Sequence, residues 1–152
     1  MPSSHSSFVF AASVMFLTGI GIPVMAALNA GLGRGLGSPT AATAALFGAG
    51  LAFSLLALAW TGLPKSADLA GIAPQSWFGA IFVVSYVLAV TYFAPRIGVG
   101  NAVFFVLVGQ LVAAAAIDHF ALLGALKTPL TARRAIGLAL MALGVWLAKK
   151  PA

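Results

Sequence analysis

Long stretches of this sequence carry no charged side chain, and this feature limits the possible folds most strongly. The 152 residues include only eight Lys or Arg and two Asp, while 62% of the residues are hydrophobic. So few charges cannot cover a water-facing surface of this size. Because helices satisfy all their backbone hydrogen bonds within one segment, we expect an all-α integral membrane protein.

Five segments are long enough, or nearly so, to cross a hydrocarbon layer of ~30 Å as helices. The predicted spans are residues 8–29, 40–62, 77–93, 97–117 and 133–149. The last has an uncharged core of only 14 residues, 135–148, so its flanking Arg and Lys side chains must snorkel or the bilayer must thin. The sequence predicts a single five-helix transmembrane domain over residues 1–152.

Several classes of function are disfavoured. The sequence has no cysteine, no clustered metal ligands and no nucleophile paired with a base, so we expect no enzyme, no metal and no cofactor. The net charge of +6 is spread over segment ends, which indicates anchoring in the lipid bilayer, not nucleic-acid binding. No lysine-serine pair of a phosphate-binding loop follows the glycines of the stretch 31–39, which predicts a tight turn with Ser38 or Thr40 capping the next helix.

The distribution of basic residues gives weak instructions for orientation. With five spans, Lys65, Lys127, Arg133 and Arg134 lie on one side, and Arg34, Arg96, Lys149 and Lys150 lie on the other. Orientation normally follows an excess of Lys and Arg on the cytoplasmic side. The balance therefore predicts dual topology, although another feature, such as early insertion of the first helix, would allow one fixed orientation.

Two oppositely oriented copies would form a familiar transport architecture. Transporters often combine two repeats related by a pseudo-two-fold axis in the membrane plane, and five helices are one half of such a ten-helix bundle. In the fifth segment Gly137, Met141 and Gly144 form one helical stripe that permits close helix packing. This stripe fits an antiparallel homodimer or heterodimer, and packing within one chain explains it equally well.

The candidate transport pathway centres on the end of the fourth segment. Asp118 and His119 follow an uncharged run, and ionisable groups at membrane depth are typical of proton or ion pathways. Gln110 lies on the same helical face as Asp118, with a small residue, Ala114, between them. The alternative is that Asp118 lies at headgroup level, where it ends the helix without a role in transport.

Further pathway candidates lie in the first and third segments. Pro23 is expected to kink the first helix and to free backbone carbonyls, and Asn29 follows it in the same run. Tyr86 is an aromatic candidate for contact with a cation or a planar solute.

Three blocks of the sequence resemble one family of membrane proteins. The blocks are Gly21-Ile22-Pro23 with Asn29, Gly109-Gln110-Leu111 followed by Ile117-Asp118-His119-Phe120, and the closing segment 134–145. Together they look like the YdcZ-like five-helix family of the drug/metabolite transporter (DMT) superfamily, over nearly the whole chain. The glycine spacing of the fifth segment is also similar to the dimerisation stripe of the small multidrug resistance proteins.

The resemblance implies a multi-pass exporter of the bacterial inner membrane whose five-helix chains pair as antiparallel homodimers or heterodimers. Gln110, Asp118 and His119 match signature positions, and the resemblance supplies no substrate. Two departures are evident: Ala121 stands where a glycine commonly follows the histidine-phenylalanine pair, and no membrane-embedded glutamate is present. Proton antiport of the small multidrug type would therefore need Asp118 in its place.

Three functions fit these observations. The favoured one is a secondary transporter that exports a small metabolite or amphipathic compound by alternating access. A small dual-topology ion channel would need a continuous polar path, and this sequence offers few polar groups. The third is an accessory subunit of a heterodimeric transporter.

Overall fold

The structure is a computed structural model that describes residues 4–64 and 71–148. These residues form five α-helices, with two short 3-10 segments at Pro74–Phe78 and Leu122–Gly124, and they contain no β-strand. The helices are α1 (Ser4–Gly35), α2 (Pro39–Thr61), α3 (Gly79–Ile97), α4 (Val99–Phe120) and α5 (Ala132–Ala148). The all-α prediction is confirmed for the described part of the chain.

Four of the helices are long and apolar enough to cross a membrane. The qualifying segments are Ser7–Gly35, Pro39–Thr61, Pro74–Ile97 and Val99–Phe120. The described part of α5 has 17 residues, a length of about 25 Å at ~1.5 Å per residue, and is not among them. The fifth span, and with it the ten-helix bundle, stays a prediction.

The glycine-rich stretch between α1 and α2 is more helical than its composition suggests. Helix α1 continues to Gly35, and the connection is a turn of three residues in which Gly37 takes a left-handed conformation with φ of 62°. The Ser38 amide donates to the Gly33 carbonyl (3.0 Å) and the Gly37 amide to the Arg34 carbonyl (3.2 Å). This pattern is a Schellman motif, which satisfies carbonyls that would otherwise be unpaired at the helix end.

The predicted cap of α2 is present. The Ser38 hydroxyl oxygen accepts a hydrogen bond of 3.1 Å from the Ala41 amide, and Pro39 occupies the first turn, where its missing N–H removes no helical hydrogen bond. The turn prediction is confirmed for residues 36–38 and wrong for residues 31–35, which belong to α1, and Ser38 is the one of the two proposed caps that is confirmed.

The chain divides into two compact units, unit 1 (Met1–Arg96) and unit 2 (Ile97–Ala152), which are described separately. Unit 1 holds most of the buried residues. On α1 these are Ala26, Asn29, Ala30 and Gly33, on α2 Ala42 and Thr43, and on α3 Val87, Val90, Thr91 and Ala94. Their spacing of three and four residues on α1 and α3 places them on one face of each helix.

The packing of unit 1 is concentrated near the turn that joins α1 to α2. Gly33 explains the close approach there, since a Cβ atom at this position would lie 3.1 Å from Cγ2 of Thr91 and 3.7 Å from Cβ of Ala42. By contrast, residues 7–22 of α1 are exposed throughout. No described residue buries the apolar side chains of this part of α1, which fits a surface that faces lipid.

Unit 2 is a helical hairpin of α4 and α5 with a small core. Its buried residues are Ala102 and Ala115, both on α4. Helix α4 ends at Ala121, an alanine in the left-handed region with φ of 52°, whose amide donates to the Ile117 carbonyl. The prediction of a single transmembrane domain that combines both units stays a prediction.

Candidate functional site

A buried hydrogen bond between two neutral side chains joins α1 to α3. Nδ2 of Asn29 donates to the Thr91 hydroxyl over 2.6 Å, and the two residues are 3% and 2% exposed. Both lie six residues before the last residue of their helix, or about 9 Å along the axis. We call this contact the amide–hydroxyl pair.

The amide–hydroxyl pair leaves hydrogen-bonding capacity unused. The Asn29 Oδ1 atom is buried and accepts no hydrogen bond from the described residues. The hydroxyls of Thr43 and Tyr86 are also buried without a partner in the described structure. Unpaired polar groups are unfavourable in an apolar environment, and the described residues of unit 1 contain three of them.

Two pathway candidates of unit 1 therefore lie in polar or partly buried positions on different helices. Asn29 is in the core, and Tyr86 is half-buried on α3, one turn before Val90 of the buried face. Pro23 is half-buried within α1, whose helical conformation continues through it. The missing N–H of Pro23 leaves the Gly19 carbonyl without its usual helical donor.

The charged candidates of unit 2 form a different type of contact. Oδ2 of Asp118 accepts a 2.6 Å hydrogen bond from the Arg134 guanidinium, and the two side chains are 35% and 32% exposed. Nη1 of Arg134 also donates to the Thr128 carbonyl (3.2 Å), and the Thr128 amide donates to the Asp118 carbonyl (2.9 Å). This network, here called the hairpin clamp, fastens the end of α4 to the beginning of α5.

His119 is engaged in the same connection. Its Nδ1 atom accepts a 2.9 Å hydrogen bond from the Leu130 amide, so in this arrangement the ring proton lies on Nε2. Protonation of Nδ1 would remove this hydrogen bond. The structure thus gives both Asp118 and His119 partners within the α4–α5 connection.

Gln110 does not lie in a described cavity. Its side chain is exposed near the middle of α4 and makes no hydrogen bond within the described residues. The small-residue stripe of α5 is also uncovered: Met141 and Gly144 are exposed, Gly137 is half-buried, and Cβ atoms built at the two glycines would meet no atom within 4 Å. These surfaces are available for contact outside their own unit.

Some predicted features fall outside the described residues. Lys65, Asp68, Lys149 and Lys150, four of the ten charged side chains, belong to this group. Within the described residues, no group of three or more His, Asp or Glu side chains is placed to hold a metal ion.

The long apolar helices and the polar groups between them define the class: a helical multi-pass membrane protein. A family model described as "Putative inner membrane exporter, YdcZ" matches residues 10–147, which is most of the chain. The chain therefore belongs to the DMT-type YdcZ family of inner-membrane exporters, as its sequence motifs suggested. No curated protein and no solved structure shows a significant match.

Two important residues were not recognised from sequence. Thr91 was one of several uncharged polar residues in the spans, and nothing in the sequence distinguished it as the partner of Asn29. Arg134 was interpreted as a membrane anchor. Its contact with Asp118 had a usable signal, because a short connection between antiparallel helices places the last turn of α4 beside the first turn of α5.

Proposed function

We propose that this chain is one half of a secondary transporter that exports a small metabolite or amphipathic compound by alternating access. Two copies, or one copy and a homologous partner, would pair in antiparallel orientation to complete a ten-helix bundle. Membership of an inner-membrane exporter family supports the transport activity. The buried, uncharged polar groups on the helices of unit 1 support the location of the transport pathway.

The observation that carries the proposal is the amide–hydroxyl pair with its unused acceptor. Asn29 and Thr91 belong to two helices that can each span the membrane, and Oδ1 of Asn29 has no described partner. A solute with a hydrogen-bond donor would satisfy this oxygen, which makes the pair a favourable resting point on a path between helices. Such neutral sites suit a neutral or amphipathic solute.

Two surfaces support the antiparallel pairing. A mid-helix amide such as Gln110 is unfavourable in contact with lipid tails, and a second chain would supply its hydrogen-bond partner. The open space beside Gly137 and Gly144 lets another helix approach closely. We propose that these surfaces meet a second five-helix chain.

The transport proposal is tested by comparing matched variants in cells. We expect cells that express the wild-type chain to accumulate specific compounds in the medium, measured by untargeted mass spectrometry and then confirmed by counterflow in proteoliposomes. Thr91→Val removes the hydroxyl with almost no change in volume and should abolish this accumulation. The matched control is Thr18→Val, because the Thr18 hydroxyl is exposed and bonds only to carbonyls of its own helix.

Equal accumulation by wild type and Thr91→Val, with both proteins folded and inserted, would contradict the site. No accumulation above that of cells without the chain would contradict export itself. Both results require that the two variants reach the membrane in the amounts of the wild type.

The pairing proposal is tested by mapping the orientation of each connection. The chain has no cysteine, so single cysteines introduced by Leu36→Cys, Leu126→Cys and Ala148→Cys report without interference. Labelling of both Leu36→Cys and Leu126→Cys by an impermeant reagent in intact cells would support dual orientation. Labelling of only one of the two would point to a fixed orientation and an oppositely inserted partner.

The third cysteine tests the fifth span. Where the first two cysteines show one fixed orientation, Ala148→Cys and Leu126→Cys lie on opposite sides if α5 crosses the bilayer; identical labelling would then mean that α5 does not cross. In that case Lys149 and Lys150 join the side of Arg133 and Arg134, and the balance of basic residues disappears.

A further inference from the structure

A pocket of about 330 Å³ opens at the end of unit 1 where the helices pack most closely. It lies beside the α1–α2 turn, and its wall includes Arg34, Gly37, Pro39, Thr91, Tyr92 and Arg96. Thr91, whose hydroxyl accepts the hydrogen bond from Asn29, thus also lines this pocket. Three other pockets, one on α1 and two in unit 2, are lined mainly by apolar side chains.

Two guanidinium groups give this pocket its charge. Arg34 lies in the last turn of α1 and Arg96 in the last turn of α3, and the described residues of unit 1 contain no carboxylate side chain. Each guanidinium has five N–H donors. Within the described residues Arg34 makes no hydrogen bond, and its side chain lines the pocket.

The Arg96 side chain is held in place at the pocket wall. Its guanidinium carbon lies 3.6 Å from the centroid of the Tyr92 ring, in a cation–π contact, and Nη1 donates to the Tyr92 carbonyl. These contacts use one donor and restrict the rotamers of a flexible side chain. An ordered guanidinium loses less entropy when it binds an anion.

Ordinary helix-end electrostatics explains each arginine alone. A cation in the last turn interacts favourably with the negative end of the helix dipole, and basic residues anchor helices at the membrane interface. Neither effect requires that both side chains line one pocket with a threonine. Two donor-rich cations that line one cavity instead suit a phosphate group, which accepts hydrogen bonds from several directions.

We propose that this pocket binds an anion that carries a phosphate group, through Arg34 and Arg96, at the level where the helices leave the hydrocarbon. Its source is either the headgroup of an anionic phospholipid or a water-soluble phosphate compound. The site does not depend on the transport proposal, because binding to the purified protein is measured without transport.

The test measures binding to the purified full chain in a neutral detergent at low salt. Inorganic phosphate and short-chain phosphatidylglycerol are the two probes, and short-chain phosphatidylcholine is the reference lipid. We expect saturable binding of at least one anionic probe, with Kd about tenfold higher for Arg34→Gln, the change expected for loss of one charge-assisted hydrogen-bonding group. The control is Arg133→Gln, which removes an equal charge at an exposed site on α5 and should leave Kd within about twofold.

The two anionic probes, inorganic phosphate and phosphatidylglycerol, identify the source of the anion. Binding of phosphatidylglycerol alone assigns the pocket to a lipid headgroup, whereas binding of inorganic phosphate assigns it to a soluble compound. Absence of saturable binding by both probes would overturn the site. Equal weakening by Arg34→Gln and Arg133→Gln would also overturn it, since that result means non-specific attraction to net charge.

The Tyr92 ring is a positioning group, and its role needs a separate variant. We expect Tyr92→Leu to raise Kd about threefold through loss of the contact beneath Arg96, and Tyr92→Phe to restore the wild-type value. A Kd for Tyr92→Leu equal to that of wild type would remove the ring from the site. Arg34→Gln is used as the main variant instead of Arg96→Gln, because loss of the Arg96 contacts with Tyr92 could disturb α3 itself. Arg34 has no hydrogen bond to a described residue, so its replacement breaks no such contact.

Discussion

The two units use polar contacts of the same length in opposite ways. In unit 1 the amide–hydroxyl pair spans 2.6 Å, is almost completely buried and carries no charge. In unit 2 the contact between Arg134 and Asp118 also spans 2.6 Å, but it is fully charged and about one third exposed. Position explains the difference, since one contact lies inside the helical packing and the other lies where helices end.

The comparison shows how this chain places polarity in an apolar environment. Removing an ion from water is far more unfavourable than removing an amide or a hydroxyl, even when the ion is paired. The chain accordingly joins α1 to α3 by neutral groups and fastens the α4–α5 connection by charges. Substitutions that alter these contacts should therefore change the free energy of unfolding by amounts that decrease from the neutral contact to the charged one.

Placing a charge in the amide–hydroxyl pair should lower the free energy of unfolding the most. Asn29→Asp keeps the shape of the side chain but puts a carboxylate at a position within a spanning helix. We expect destabilisation by up to about 2.5–3.5 kcal/mol, the insertion penalty of Asp at the centre of a span, because Asn29 lies about 9 Å from the end of α1. The free energy of unfolding in mixed micelles, measured by denaturing-detergent titration, checks this value.

The control for that exchange is Asn29→Ser, which stays neutral and polar. Its cost should not exceed about 1.5 kcal/mol, in the range of one interhelical hydrogen bond. If Asn29→Asp and Asn29→Ser are equally stable, charge is not what limits this position.

Widening the α1–α3 contact should have the next largest effect. Gly33→Val adds atoms where a Cβ alone would lie 3.1 Å from Thr91, and overpacking of this kind costs about 1–3 kcal/mol. Gly21→Val on the same helix is the matched control, because a Cβ at Gly21 meets no atom within 4 Å. The difference between the two unfolding free energies isolates the close approach, and a difference near zero would contradict it.

The two interhelical turns sharpen the comparison in a different way. The α1–α2 turn places Gly37 in the left-handed region, whereas the α4–α5 connection places Ala121 there, with φ of 52°. A non-glycine residue in this conformation is strained by about 1 kcal/mol. We therefore expect Ala121→Gly to stabilise the protein by up to about 1 kcal/mol in the same unfolding titration.

Ala113→Gly serves as the control for this prediction. Ala113 is exposed within α4, where glycine is less favourable than alanine by about 1 kcal/mol. Opposite signs for the two changes would confirm the strain at Ala121, and destabilisation by both would refute it.

Neutralising the charged contact should have the smallest effect. Asp118→Asn leaves Arg134 able to reach water, and a pair this exposed contributes roughly 1 kcal/mol or less. A double-mutant cycle with Arg134→Gln measures the coupling directly. A coupling of several kcal/mol would mean that the hairpin clamp is much better shielded from water than its exposure indicates.

The same contrast determines what the sequence could predict. Uncharged runs located the helices well, because the cost of charge in lipid acts on every residue of a span. Ser38 was recognisable as a cap from its position alone. The partner of Asn29 was not predictable, since Thr91 lies 62 residues away and pairing at that distance depends on tertiary packing.

The polar residues of the fourth segment show a limit of helical periodicity. Periodicity grouped Gln110 with Asp118, whereas the structure leaves Gln110 exposed and pairs Asp118 with Arg134. Helical spacing identifies residues that share a face, but it does not reveal what that face contacts. The α5 glycine stripe illustrates the same limit, since its spacing predicted close helix packing but not that the space beside Gly137 and Gly144 is open in this structure.

The uneven packing of α1 has a mechanical consequence. Its buried residues extend from Ala26 to Gly33, about 10 Å of helix, while the exposed portion before them, residues 7–22, is more than twice as long. Helix α1 is thus held by packing over a short C-terminal part, whereas its longer N-terminal part is not packed against described residues. A tilt about Ala26 that shifts Gly33 by about 1 Å moves the start of the helix by nearly 3 Å, so small adjustments at the packed end become large displacements across the bilayer.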